Sequence, residues 1–283
     1  MNEFFQALST YSFLQYALLA GILASVAAGI AGTYVVVKRI SLISGGIAHS
    51  ILGGMGIAYY FGFDPAQGAV ISALVAAVII GLVSLKARQH EDTVIGALWA
   101  IGMALGIVFI ARTPGYNVDL MTFLFGNILL VSREDLVLIA LLDGLILSMT
   151  FLFYKQFMAI AFDEQHARLR GMPVECLYLL LLMLVALTVV ILIKIVGLVL
   201  VIALLILPPT IANRYANSLG QMMVLAVGLG MVFNAGGLVV SYQLDLPTGA
   251  TIVLIAGAAY LLALMGRRIQ KAPAVESRGQ VST

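Results

Sequence analysis

Apolar residues fill stretch after stretch of about 20 positions along this chain, and the polar residues gather in the short gaps between them. Twenty helical residues cover about 30 Å, the thickness of a bilayer's hydrocarbon core. The pattern predicts an all-α, polytopic transmembrane bundle of about nine spans, at 13–37, 43–63, 66–85, 94–112, 136–154, 176–195, 197–213, 220–242 and 249–266. The gap 113–135 is apolar enough to dip into the membrane without crossing it. Residues 1–12 read as an interfacial amphipathic segment with Phe4, Phe5 and Leu8 on one side, 13–266 as the transmembrane domain, and 267–283 as a disordered polar tail.

Composition supports this reading. Of the 283 residues 62% are hydrophobic and only 10% charged, where a soluble domain carries about 25% charged residues. The single cysteine, Cys176, excludes an internal disulfide. The N-terminus has an acid and no basic region, so it does not read as a cleaved signal. Twelve of the fifteen basic residues fall on one side if the N-terminus is outside: Lys38, Arg39, Lys86, Arg88, Lys155, Arg168, Arg170, Arg214, Arg267, Arg268, Lys271 and Arg278. The excess of basic residues marks the cytoplasmic side, so the expected C-terminus is cytoplasmic.

Within the spans, small residues recur at helical spacing. Gly21, Ser25 and Gly29 form one face of the first span, and Ala24, Ala28 and Gly32 another. Such faces let helix backbones approach closely in lipid, which places the first span centrally. The seventh span contains Pro208-Pro209. Either the helix ends early there, or it forms an unwound or kinked gate.

Several classes of chemistry are missing. There is no G-x-x-x-x-G-K-[ST] nucleotide loop, no H-E-x-x-H, and no spaced His/Cys/Asp cluster. An enzyme is not expected, nor a nucleic-acid partner. Energy for uphill transport would have to come from an ion gradient or a separate ATPase. The longest cytoplasmic connection, "KQFMAIAFDEQHARLRGMPVE", begins a short helix with Asp163 and Glu164, continues with Arg168 and Arg170, and has Gly171 placed to end it. Acids first and bases last suit the helix dipole. It reads either as a docking element for a cytoplasmic partner or as an ordinary solvated loop helix.

The stretches "GTYVVVKRISLISGGIAHSILGG", "DLMTFLFGNILLVSREDL", "AFDEQHARLRGM", "VGLVLVIALLILPPTIANR" and "DLPTGATIVL", in this order, resemble the membrane-spanning subunits of bacterial ABC importers for zinc, manganese and iron, the ABC-3 metal permeases. The resemblance implies a fold similar to the vitamin B12-type importer permeases, a location in a bacterial or archaeal cytoplasmic membrane, and a homodimer of permeases. It further implies a cytoplasmic ABC ATPase subunit that hydrolyses ATP and an extracytoplasmic metal-binding protein that delivers the substrate. It makes Phe162, Asp163, Glu164, Ala167 and Gly171 the elements of a coupling helix against the ATPase.

His49 is the one histidine inside a span. An intramembrane polar group marks a transport path by default, and imidazole is a common transition-metal ligand. The bland alternative is a packing histidine bonded to a backbone carbonyl. In the family pattern an aspartate stands four residues earlier, on the same helix face. Here that position is Gly45, followed by Gly46, and glycine permits backbone to face a path closely. Asp119 matches a family position often counted with the metal path and is the candidate replacement carboxylate; the alternative is an outer-loop aspartate that never meets metal. Asn127 and Asp143 are weaker candidates, and Met55, Met103 or Met121 could add a thioether. An imidazole with few carboxylates favours zinc, with manganese or iron as alternatives. A metal chelate or a small organic cofactor is a further substrate alternative. A gradient-driven carrier would need a titratable intramembrane pair, for which Asp143 and Lys194 are the candidates. Asp64 and Asp245 read mainly as turn residues.

Overall fold

In the computed structural model, residues 2–86, 91–113, 126–198 and 201–270 are described, and they are helical almost throughout. The helices are α1 (Asn2–Thr10), α2 (Ser12–Lys38), α3 (Ser41–Tyr60), α4 (Pro65–Lys86), α5 (Glu91–Arg112), α6 (Arg133–Leu152), α7 (Tyr154–Phe162), α8 (Glu164–Leu169), α9 (Val174–Val196), α10 (Val201–Ala212), α11 (Leu219–Leu244) and α12 (Thr248–Gln270). Eight of them are long and apolar enough to cross a membrane.

The predicted seventh span is the exception. Its helix, α10, has 12 residues, or roughly 18 Å, well short of a bilayer core. Both prolines are buried inside it, and the helix runs through them to Ala212. It therefore neither stops at the prolines nor unwinds there. The segment still carries the chain from one end of the bundle to the other. Before it, Gly197 lies against Gly126; after it, Ala212 packs with Val36 and Val37 at the far end of α2. Pro209 has no N–H to give the Leu205 carbonyl one turn back. That carbonyl instead faces Gly32 of α2 so closely that no Cβ would fit between them.

Helix α2 is central, as its small-residue faces predict. One face, Gly21, Ser25 and Gly29, lies on α11. A Cβ added to Gly29 would sit 2.6 Å from the Val227 backbone nitrogen. Between the two glycines Asn234 donates to the Ser25 hydroxyl at 2.9 Å, and Ser25 donates to the Gly21 carbonyl at 2.6 Å. The other face reaches α10 at Gly32. Phe4 of α1 packs edge-on against Tyr242 of α11, with ring centroids 5.6 Å apart.

Helix α3 makes a second seam, with α5, built mainly on glycine. Cβ atoms on Gly53 and Gly56 would come within 2.9 and 2.7 Å of the Gly102 and Gly106 carbonyl oxygens. In return, a Cβ on Gly102 would lie 2.6 Å from the Ser50 Cα. Ser50 stitches the seam by donating to its own helix at Gly46, 2.8 Å, and to Leu98 across it, 3.3 Å.

Overpacking this seam is expected to be costly. Gly102→Val should lower stability by about 1–3 kcal/mol. Gly96→Ala, on the same helix but with open space around it, should be neutral or stabilising by up to about 1 kcal/mol. Thermal melting of the two variants in detergent checks this; equal losses would show that the close approach is not what matters.

Candidate functional site

The α3–α5 seam determines what surrounds His49. The residue lies in the middle of α3 and is 8% exposed. Trp99, one turn before Gly102 on α5, stacks flat on the imidazole, with centroids 3.9 Å apart and planes 11° from parallel. Among the described residues, the His49 Nδ1 is buried and has no hydrogen-bond partner. A packing histidine bonded to a carbonyl through this nitrogen is not what is found. An unpaired buried polar atom costs roughly 1–3 kcal/mol.

Gly45 lies one turn before His49. A Cβ there would be 3.4 Å from the Trp99 Cζ3 and 3.2 Å from the Ile202 Cδ1 of α10. The indole thus covers the face of α3 where a side chain at 45 would extend. Gly46 faces the side chain of Ile95, 2.6 Å from a built Cβ. Asp119 and Met121 lie outside the described residues.

The other candidate ligands sit elsewhere. Met55 is six residues beyond His49, roughly 9 Å along the helix. It lines a cavity of about 180 Å³ with Asn127, Asp135 and Lys194. Asn127 uses its side chain to cap a 3-10 turn, accepting from the Leu129 N–H at 3.0 Å. Met103 packs against the core. Asp64 and Asp245 serve local structure: Asp64 accepts from the Ala66 N–H at 2.9 Å, and Asp245 caps α11 with φ 53. Among the described residues, no three His, Cys, Asp or Glu side chains gather to hold a metal.

The Asp143–Lys194 pair is corrected. Lys194 pairs with Asp135 at 2.8 Å, and Asp135 also closes a capping box with Ser132 at the start of α6. Asp143 lies eight residues further, roughly 12 Å along that helix. It is buried, and its carboxylate has no hydrogen-bond partner among the described residues. A pair that seals a helix end is structural, and the carrier reading loses its candidate.

At the opposite end of the bundle, the connection after α7 is a fully capped unit. The Asp163 carboxylate accepts from the His166 N–H at 2.8 Å. At the other end of α8, the Gly171 N–H bonds the Arg168 carbonyl at 2.9 Å, and the Met172 N–H bonds the Ala167 carbonyl at 3.1 Å. This is a Schellman motif, and it needs the left-handed φ of 74° that Gly171 supplies. Ala167 is fully buried under the loop, while Phe162 and Leu169 are 68% and 86% exposed. Glu164 is not a free surface acid. It accepts from Lys38, the last residue of α2, at 2.6 Å. Lys38 also donates to the Ile160 carbonyl at 2.8 Å and lies over the Tyr178 ring.

The comparisons fit this arrangement. The model of the ABC 3 transport family matches residues 10–267. The chain belongs to the ABC 3 transport family. It is 49% identical over 258 residues to an uncharacterised membrane protein of Synechocystis, covering 91% of this chain and 92% of that one. It is 38% identical to the manganese transport system membrane protein MntC of Halalkalibacterium halodurans, covering 93% and 90%. Among solved structures it matches PsaBC from Streptococcus pneumoniae with a TM-score of 0.85 at 34% identity, covering 93% of this chain and 95% of that one. It is a helical membrane permease of the metal ABC transporters.

Two residues of this permease escape sequence reasoning. Lys38 reads there only as a topology marker, and Trp99 carries no signal except its position: it is the only tryptophan and lies mid-span, where an interfacial belt residue would not.

The Lys38 side chain is 6% exposed, so removing its partner leaves a buried charge. Glu164→Ala should destabilise the permease by about 3 kcal/mol, and Lys38→Met with Glu164→Leu should recover most of it. A double-mutant cycle by thermal melting gives the answer; additive losses would mean the pair does not couple.

Proposed function

We propose that this permease is the membrane subunit of an importer for a divalent first-row metal, with His49 as a ligand in transit. What supports the reading is the buried imidazole, whose Nδ1 has no partner among the described residues, in a mid-membrane helix. Asp119 is the proposed second ligand, and the Gly45, Gly46, Pro208 and Pro209 backbone the proposed lining or gate of the path. The permease itself does no covalent chemistry. An ABC ATPase in the cytoplasm hydrolyses ATP, and an extracytoplasmic binding protein delivers the metal. Two permease copies form a homodimer in the cytoplasmic membrane, each with its N-terminus outside and its C-terminus inside.

Manganese is the first reading of the metal, because a relative of like length is named for it. Zinc is the second, favoured by an imidazole ligand with few carboxylates. The coupling helix is proposed as residues 162–171. Its support is chemical: a capped loop with two exposed apolar side chains, Phe162 and Leu169, beside a half-buried ion pair.

Two measurements test this. In the complex reconstituted with its ATPase and delivery protein, one of zinc, manganese and iron should stimulate ATP hydrolysis, and His49→Ala should reduce the stimulation roughly tenfold or more with assembly intact. Equal stimulation of wild type and variant removes His49 from the path. Stimulation by no free metal favours a chelate. Separately, Phe162→Ser with Leu169→Ser should weaken capture of the ATPase at least about fivefold; unchanged capture places the contact elsewhere.

A further inference from the structure

We propose that Trp99 is the gate over His49: the indole must leave the imidazole before a metal can bind it. The inference rests on the reading of His49 as a transit ligand. Rings stacked at 3.9 Å and 11° are too close for either to turn edge-on, since a perpendicular pair needs a centroid separation of roughly 5 Å. The imidazole is therefore locked about its own axis. In the locked orientation Nδ1 is buried and meets no partner among the described residues. A metal binds imidazole in the ring plane, at a nitrogen lone pair. In this orientation Nδ1 is sealed from any path; turning the ring is what would present it, and the ring turns only when the indole moves away.

The glycines build the gate. Gly102, one turn on from Trp99, brings α5 against the Ser50 Cα and so sets the indole at stacking distance. Gly45 leaves the space that the indole edge occupies, 3.4 Å from where a Cβ would lie. Any longer side chain at 45 would compete for that space. Gly45 and Trp99 thus act as a pair, the gap and the side chain that fills it. The closed state buries the ligand under an apolar plate and excludes water from it.

Trp99 is also the sole tryptophan in the chain, so its emission reports the gate directly. The experiment uses the full-length permease in lipid nanodiscs. Zinc and manganese are titrated separately, with binding measured by equilibrium dialysis and emission recorded on the same samples. Wild type should show a saturable change in emission that tracks binding, and His49→Gln should show neither. Trp99→Ala should bind roughly two- to tenfold more tightly, because the stack no longer opposes binding, and Trp99→Phe should stay within about twofold of wild type. His49-dependent binding with unchanged emission, or a Trp99→Ala variant that binds no more tightly, overturns the gate and leaves the His49 reading standing. Binding that is absent, or unaffected by His49→Gln, overturns the His49 reading and the gate with it. If Trp99→Ala does not fold, the wild-type emission against His49→Gln still decides.

Discussion

Lipid tails are as apolar as leucine, so helices in a bilayer gain little by hiding apolar side chains from their surroundings. They gain where backbones come close enough for dense packing and for polar atoms to meet. This permease meets that constraint with glycine at two seams, α2 against α11 and α3 against α5. The first is closed by a serine–asparagine bond and holds the centre of the bundle. The second sets the distance between the helix that carries His49 and the helix that carries Trp99. Without glycine at 53, 56, 102 and 106 the helices would stand further apart, and the two rings would not touch. The geometry of the candidate site is thus a by-product of how the helices are held together.

Much of this could be read along the chain because it is local. Helix length, the central place of the first span and the capped loop around Gly171 all follow from residues within a few turns of one another. The same is true of Asp64 and Asp245 as turn residues. What could not be read is which side chains meet across helices. Lys194 lies near both Asp135 and Asp143 by any sequence measure, and only the rotation and tilt of α6 against α9 select Asp135. Lys38 and Glu164 are more than a hundred residues apart, and a basic residue at a helix end looks like a topology marker until its partner is seen. His49 stood out as a mid-span histidine, but its neighbour Trp99 is fifty residues away on a helix whose register no local pattern fixes. The predicted seventh span exceeds α10 for another reason: the apolar run begins at Gly197, before the helix, and hydropathy does not distinguish helix from connection.

The candidate ligand and the capped loop after α7 belong to the same packed framework. The loop is tied by Glu164 to the last residue of α2, and α2 touches α10 and α11 along its length. Helix α10 in turn places Ile202 beside Gly45. A displacement of the loop therefore has a continuous path of contacts to the site, through a half-buried ion pair and then through helices packed at backbone distance. Close packing of this kind shifts between discrete arrangements more readily than it deforms.

The two prolines of α10 give that framework an uneven stiffness. A regular helix resists bending because the bonds on its outer side must stretch. At Pro208 and Pro209 two of those bonds do not exist, so flexure there sacrifices nothing that the helix possesses. The stretch next to Gly32 is therefore the part of the helix that bends most readily. A force arriving at the Ala212 end would flex the helix at that point first, and Ile202 beside Gly45 would follow the flexure.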